Sequence, residues 1–198
     1  MNEAKNTYTT SADRGSFLCP LPDWSTISLS GEDAKSFLQG QVTCDVNKLL
    51  ENNALHGAHC NFKGKMWSNF VLVEHQGALH LMMQSSVTEA SLTELRKYGV
   101  FSKTSIDDSS DKYRIVGLFG DDAESFITDN FNQLPDYQFA VATSEDAWVV
   151  KLSESRPLYM MACTESLLSK VKQHPNFDFS HSAQWLSHLL AEGFPTVT

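Results

Sequence analysis

The stretch from residue 55 to residue 74 has the hydrophobic pattern of a β-hairpin. Its second arm is apolar and β-branched around Phe70, as is typical of a strand. Residues 61–64 supply turn chemistry, and Gly64 can adopt the positive φ that a tight turn needs. Lys63 and Lys65 place two cations at the tip. Such a tip suits either an anionic ligand group or an ordinary solvated turn.

The residues around this hairpin predict further elements of both kinds. Amphipathic helices are predicted at residues 31–38 and 87–98, and Gly40 should end the first of them. Period-two alternation and apolar runs predict strands at residues 24–30, 78–84 and 102–106.

A short internal repeat divides the chain. Residues 116–127 repeat residues 27–38, because leucine, glycine, an acidic pair, alanine, serine and phenylalanine recur in the same order. Each copy predicts a strand, a glycine turn and an amphipathic helix. Two copies are too few for a solenoid, so we predict two related α+β halves joined by a polar hinge at residues 107–111.

The predicted domains follow from this repeat. They are a flexible N-terminal arm at residues 1–20, a first α+β subdomain at residues 21–110 and a second at residues 111–198. In the second, strands are predicted near residues 138–142, 147–152 and 158–162, and helices at residues 165–173 and 180–193. The last helix should bury one face, formed by Trp185, Leu186, Leu189 and Leu190.

Composition narrows the class of protein. The chain has 198 residues and is 41% hydrophobic, which is enough to build a sizeable core. It has neither an apolar run of membrane-spanning length nor the pattern of a secretory signal at its start. Its four cysteines match no metal or cluster motif, so free thiols in a reducing cytoplasm are expected. Cys60 follows His59 directly, and adjacent strand residues point to opposite faces, which disfavours a catalytic pair.

Charge is distributed unevenly. The net charge of −9 argues against general nucleic-acid binding and makes direct tRNA binding doubtful over most of the surface. Residues 55–106 are the exception, since they carry five basic and three acidic residues. An anionic small ligand, or a local RNA contact, would therefore bind near the hairpin.

The candidate chemistry favours a binding module over an enzyme. No phosphate-binding loop, zinc-protease or nucleophile-elbow motif occurs, and the acidic pairs lie at helix starts or bends. The amides near Gly40 suit either a bound heterocycle or a backbone clamp, and the tryptophans suit either the core or a stacking platform. A flat aromatic ligand with carboxylates would be well matched if the fold united six residues: Trp24, Trp185, Gln39, Gln41, Lys63 and Lys65.

Four motifs extend the argument beyond composition. They lie at residues 37–45, 57–69, 95–103 and 184–195. In order and spacing they resemble the YgfZ family of folate-binding, tRNA-modifying proteins, which is part of the aminomethyltransferase (glycine-cleavage T-protein, or GcvT-like) superfamily. The resemblance covers residues 21–198.

The resemblance implies a fold and a function. The fold class is α+β and GcvT/YgfZ-like, with two related sheet-and-helix subdomains around a folate-sized cavity. The chain should bind tetrahydrofolate or a derivative, with no metal, and Trp24 and Trp185 map onto the family's folate-binding tryptophans. The implied role is cytoplasmic support of iron–sulfur enzymes, including tRNA methylthiotransferases, with a link to regulation of replication initiation.

Two departures from the superfamily pattern qualify this reading. The paired aspartates of aminomethyltransferases are replaced by Trp67-Ser68, which favours an accessory protein over the alternative, a folate-dependent one-carbon transferase. A Lys-Gly-Cys-Tyr-x-Gly-Gln-Glu signature and the C-terminal barrel are absent, so we expect a fragment or a truncated gene product. A protein-interaction scaffold using the basic face of residues 55–106 is the third hypothesis.

Overall fold

The computed structural model describes residues 15–173 and 182–194. Most of the predicted N-terminal arm and the start of the last predicted helix therefore lie outside the described residues. The strands are β1 Phe17–Pro20, β2 Trp24–Ser30, β3 Leu55–Cys60, β4 Met66–His75, β5 Ala78–Gln84, β6 Ser105–Asp108, β7 Arg114–Phe119, β8 Val141–Thr143, β9 Ala147–Lys151 and β10 Leu158–Cys163. The α-helices are α1 Ala34–Gln39, α2 Ser85–Gly99, α3 Asp121–Asn130, α4 Glu165–Val171 and α5 Ser182–Ala191.

The strands form two antiparallel five-stranded sheets. The first sheet has the order β3-β4-β5-β2-β6 and the second β1-β7-β10-β9-β8. Each half of the chain runs through a strand, a helix, a three-stranded meander and a second helix. The predicted α+β class is confirmed. The repeat noticed in the sequence is also seen in the structure, because β2 and β7 hold equivalent places in the two sheets.

Each sheet takes its fifth strand from the segment that precedes the other half. β1 comes just before β2 in the chain but pairs with β7, and β6 comes just before β7 but pairs with β2. Phe17–Pro20, which the sequence analysis assigned to a flexible arm, are therefore part of the second sheet. The predicted hinge at residues 107–111 also starts within a strand, since β6 runs to Asp108.

Two glycines make this exchange possible. Gly31 (φ +114°) and Gly120 (φ +93°) occupy the same point in the repeat, between the first strand and the first helix of each half. A Cβ on Gly31 would lie 2.3 Å from the carbonyl oxygen of Lys103, which leads into β6. A Cβ on Gly120 would lie 2.5 Å from the hydroxyl of Ser16, which leads into β1. Only glycine combines this backbone conformation with so close an approach.

The core lies in three layers between four layers of secondary structure. The outer faces of the two sheets are covered by α1 and α2 on the first and by α3 and α4 on the second. The inner faces pack against each other together with α5, in a cluster that includes Val71, Met82, Trp148, Met160, Trp185 and Leu189. Leu186 and Leu190 were predicted to share the buried face of α5, but they are 48% and 64% exposed. The buried stripe of this helix is narrower than its apolar pattern.

A cluster of rings joins the two inner faces. His80 of β5 stacks near Trp148 of β9, with ring centroids 4.5 Å apart, and meets Tyr113 edge-on at 5.4 Å. Its Nδ1 atom is 2.9 Å from the hydroxyl oxygen of Ser28. Burial lowers the pKa of His80 to about 4, so this side chain is neutral at pH 7.

Candidate functional site

A cavity of about 420 Å³ lies where the chain crosses from the second sheet to the first. One wall is the connection between β1 and β2, and the opposite wall is α5. We call it the tryptophan cavity; its lining residues are Pro20, Leu21, Pro22, Asp23, Trp24, Gln84, Ala183, Trp185, Leu186 and Leu189. Most of them are apolar, and the two tryptophans supply its aromatic surface.

Trp24 is held in place by hydrogen bonds to the turn that precedes β2 and to the last residue of β5. Its backbone N–H donates to the carbonyl oxygen of Leu21 at 3.0 Å, closing a turn. Trp24 pairs with Gln84 across β2 and β5. When the Gln84 amide satisfies both neighbours, its oxygen accepts from the indole N–H of Trp24 at 2.7 Å and its nitrogen donates to the carbonyl of Asp23 at 3.0 Å. Gln84 thus fixes the ring. Nothing in the local sequence singles out Gln84, because its role depends on the register between β2 and β5.

Trp185 approaches the same cavity from the other side. Its side chain is only 2% exposed, and its six-membered ring lies over Gly117 of β7. A Cβ on Gly117 would come within 2.4–2.7 Å of three atoms of that ring. Among the described residues, the indole N–H of Trp185 has no hydrogen-bond partner. This N–H is buried within the protein, as is that of Trp148, so Trp185 contributes apolar surface to the cavity wall.

A second cavity, of about 620 Å³, lies beside the tip of the β3–β4 hairpin. We call it the hairpin cavity; it is lined by Gly40, Gln41, His59, Cys60, Asn61, Phe62, Trp67, Glu94, Lys97 and Tyr98. It shares no lining residue with the tryptophan cavity. Gln84 directly precedes α2, and Glu94 lies ten residues further on within that helix, which corresponds to about 15 Å at the usual helical rise.

The structure places the six candidate residues in separate regions. Trp24 and Trp185 line the tryptophan cavity, whereas Gln41 lines the hairpin cavity. Lys63 and Lys65 are exposed on the hairpin tip, where the side-chain oxygen of Asn61 accepts from both of their backbone N–H groups at 2.9 Å. Gln39, at the end of α1, has a buried side-chain oxygen with no partner among the described residues. The fold therefore brings the two tryptophans together but not the amides and lysines with them.

Trp67 and Ser68, the positions that the resemblance aligns with the aspartates of aminomethyltransferases, lie in different environments. Trp67 faces the hairpin cavity, while Ser68 is fully buried and its hydroxyl donates to Ser91 at 3.1 Å. The ring Nδ1 of His59 lies 2.9 Å from the same Ser91 oxygen. Burial lowers the pKa of His59, opposed by the nearby charge of Glu94. This network is a buried support beneath the hairpin cavity.

Three of the four cysteines have a raised pKa, which disfavours the reactive thiolate. All four are free thiols. Burial raises the pKa of Cys19 and Cys44, and raises that of Cys163 to about 12. No group of three metal-ligating side chains occurs among the described residues. Across residues 15–173 and 182–194, no helix has the length and apolar character to cross a membrane.

Comparisons with known proteins identify relatives of the chain. It is 37% identical over 183 residues to the tRNA-modifying protein YgfZ of Colwellia psychrerythraea, covering 92% of this chain and 56% of that protein. It is 39% identical over 171 residues to the YgfZ protein of Photobacterium profundum, covering 85% of this chain and 50% of that protein. The chain spans about half the length of the curated relatives it matches. No protein-family model matches it.

A solved structure shares the fold of this chain. The glycine cleavage system aminomethyltransferase T of Bartonella henselae superposes with a TM-score of 0.70 at 14% sequence identity. The match covers 85% of this chain and 48% of that protein. This likeness shows the fold. Together with the sequence similarities it confirms the resemblance inferred from the four motifs.

Proposed function

We propose that this chain, which corresponds to about half of a YgfZ protein, binds a tetrahydrofolate species in the tryptophan cavity and acts as an accessory protein in tRNA modification. The observation that carries the proposal is the meeting of Trp24 and Trp185 at one cavity, although they lie near opposite ends of the chain. These are the two residues for which the family resemblance implies folate binding.

The cavity has suitable dimensions and chemistry for such a ligand. Its volume of about 420 Å³ lies within the range of roughly 300–1,000 Å³ found for small-molecule sites. Indole rings can stack on a flat heterocycle such as a pterin. When the Gln84 amide satisfies both of its neighbours, it fixes the ring of Trp24, which is the more accessible of the two indoles.

Binding without turnover fits the acidic residues better than group transfer does. A one-carbon transferase would need a carboxylate held against the reacting folate nitrogen, as a general base or charge stabiliser. Ser68 is buried away from the tryptophan cavity, and the acidic residue that lines this cavity is the solvent-exposed Asp23. The accessory role is therefore the better supported of the two.

The cellular part of the proposal rests on the names of the relatives. They are tRNA-modifying proteins, so we place the folate-bound chain in tRNA modification, in the cytoplasm. Support of iron–sulfur enzymes such as tRNA methylthiotransferases, and a link to replication initiation, are the finer forms of this role.

The Trp24→Ala variant tests the site. It should weaken tetrahydrofolate binding by about 5-fold to 150-fold, since an aromatic stacking platform contributes roughly 1–3 kcal/mol per heterocycle. Isothermal titration of the 198-residue chain measures the affinity. Trp67→Ala is the matched control, because Trp67 is also half-buried but lines the hairpin cavity.

Two results would count against the proposal. One is equal affinity in wild type and Trp24→Ala; the other is a loss of binding in Trp67→Ala alone, which would move the folate to the hairpin cavity. Circular dichroism of each variant confirms that the comparison is made between folded proteins.

A further inference from the structure

We propose that the hairpin cavity and the aromatic surface beside it bind single-stranded RNA, with one nucleotide seated in the cavity. The site is separate from the tryptophan cavity, so the inference does not depend on folate binding. It follows from the pairing of rings with lysines, from the polar groups inside the cavity and from the local charge.

Two aromatic rings of the cavity each have a lysine ammonium beside them. Lys63 Nζ lies 5.6 Å from the ring centroid of Phe62, and Lys97 Nζ lies 5.3 Å from that of Tyr98. Phe62 is 91% exposed and Tyr98 is 53% exposed, so each residue leaves aromatic surface accessible to a ligand. A ring that stacks on a base while a neighbouring cation meets the phosphate is the usual arrangement of single-strand binding.

The interior of the cavity supplies hydrogen-bonding groups for a base edge. Gln41 offers an amide that can both donate and accept. His59 is oriented by its contact with Ser91, and burial lowers its pKa, so it presents a neutral imidazole near pH 7. Asn61 is occupied in holding the turn, which keeps the two tip lysines in position.

The surface extends beyond the space of a single nucleotide. α2 ends at Gly99, and the next two residues, Val100 and Phe101, are 71% and 98% exposed. Phe101 is therefore a further stacking platform a few residues from Tyr98. An open series of rings fits a strand better than a free mononucleotide, which would be enclosed.

The local charge has the sign that RNA requires. Lys97 lines the cavity, where it forms an ion pair with Glu94 at 3.6 Å. Lys63 and Lys65 are exposed on the hairpin tip and follow the lining residues Asn61 and Phe62 in the chain, so they add two positive charges without acidic partners in the lining. The chain as a whole carries −9, so other surfaces repel phosphates. Acidic surroundings therefore confine an RNA contact to this face.

Fluorescence anisotropy with a labelled oligouridylate of about ten nucleotides tests the proposal on the 198-residue chain. Lys63→Glu combined with Lys65→Glu should weaken binding at least tenfold. It should also flatten the slope of log K against log salt by about 1.4, because each phosphate contact on a single strand contributes about 0.7. Phe62→Ala should weaken binding about tenfold while the salt slope stays the same.

Lys170→Glu combined with Lys172→Glu is the matched control. It makes the same change in charge on two exposed lysines at the end of α4, on the outer side of the second sheet. Its affinity should stay within about twofold of wild type. Equal losses in the two double variants, undetectable binding by wild type, or uridine monophosphate binding as tightly as the oligomer would each overturn the proposal.

Discussion

Replacing Gly117 by alanine is expected to displace Trp185 and thereby to remove one wall of the tryptophan cavity. The added Cβ would lie 2.4–2.7 Å from three ring atoms of Trp185, which is far inside van der Waals contact. Gly117 lies in the middle of β7, where the strand pairs with β1 on one side and β10 on the other, so the backbone cannot retreat. The indole has to move instead.

The Gly117→Ala substitution is expected to lower both the free energy of unfolding and the affinity for tetrahydrofolate. Overpacking of this kind costs about 1–3 kcal/mol or more in the free energy of unfolding. We also expect the affinity for tetrahydrofolate to fall by more than tenfold, because a ring that lines the cavity leaves its place. Urea denaturation and isothermal titration measure the two quantities.

Gly40→Ala is the control for this substitution. Its φ is −81°, and its nearest neighbour would be the carbonyl oxygen of Phe37 at 3.5 Å, an ordinary contact. Both its stability and its folate affinity should match those of wild type closely. An unchanged stability and affinity in Gly117→Ala would show that Trp185 does not occupy the position described here.

Acid is expected to weaken the contact between the two sheets through His80. The pKa of this side chain is lowered to about 4 by burial and by the positive charge of Lys112, with partial opposition from its hydrogen bond to the carbonyl of His75. The unfolded chain has the ordinary value of about 6.5. The unfolded state therefore binds the extra proton first, and stability is highest above pH 6.5 and falls as the pH drops towards 4.

The size of this effect follows from the same two values. Between pH 7.5 and pH 5, His80 alone should remove about 2 kcal/mol from the free energy of unfolding. His80→Gln keeps a group that can hydrogen-bond to Ser28 but cannot titrate, so its stability should change less over this range. Parallel pH profiles for wild type and His80→Gln in urea denaturation would contradict the assignment. The slope is the readout, so a uniform loss of stability in the variant does not affect the test.

Local pattern predicted the strands and helices because each rests on neighbouring residues. The hairpin turn, β2 and β5 follow from period-two alternation and from a glycine that can take positive φ. The repeat of residues 116–127 on residues 27–38 predicted two related halves, and both glycines of that repeat have positive φ. In these segments the local hydrophobic pattern and the glycine positions were enough to predict the elements.

The exchange of edge strands is not visible in local pattern. β1 and β2 are separated by three residues, and nothing in their own sequence says that they belong to different sheets. This exchange of edge strands determines where the tryptophan cavity forms, because the connection between β1 and β2 is one of its walls. The role of Gln84 depends in the same way on the register of β2 with β5.

The candidate site residues also show that local sequence does not predict which side chains meet in the fold. Chemistry selected six residues, of which the resemblance also supported Trp24 and Trp185. These two meet at one cavity, whereas Gln41, Lys63 and Lys65 lie at or near another. On α5 the apolar pattern included Leu186 and Leu190, but only the stripe through Trp185 and Leu189 is buried. Side-chain type shows what a residue can do, while burial depends on which surface packs against it.

The most direct test of the account is fluorine NMR of the chain labelled with 5-fluorotryptophan. The four tryptophans give four signals, which single Trp→Phe variants assign. Saturating tetrahydrofolate should shift the signals of Trp24 and Trp185 and leave those of Trp67 and the buried Trp148 in place. A shift of Trp67 alone, or four unchanged signals, would contradict a folate site at the tryptophan cavity.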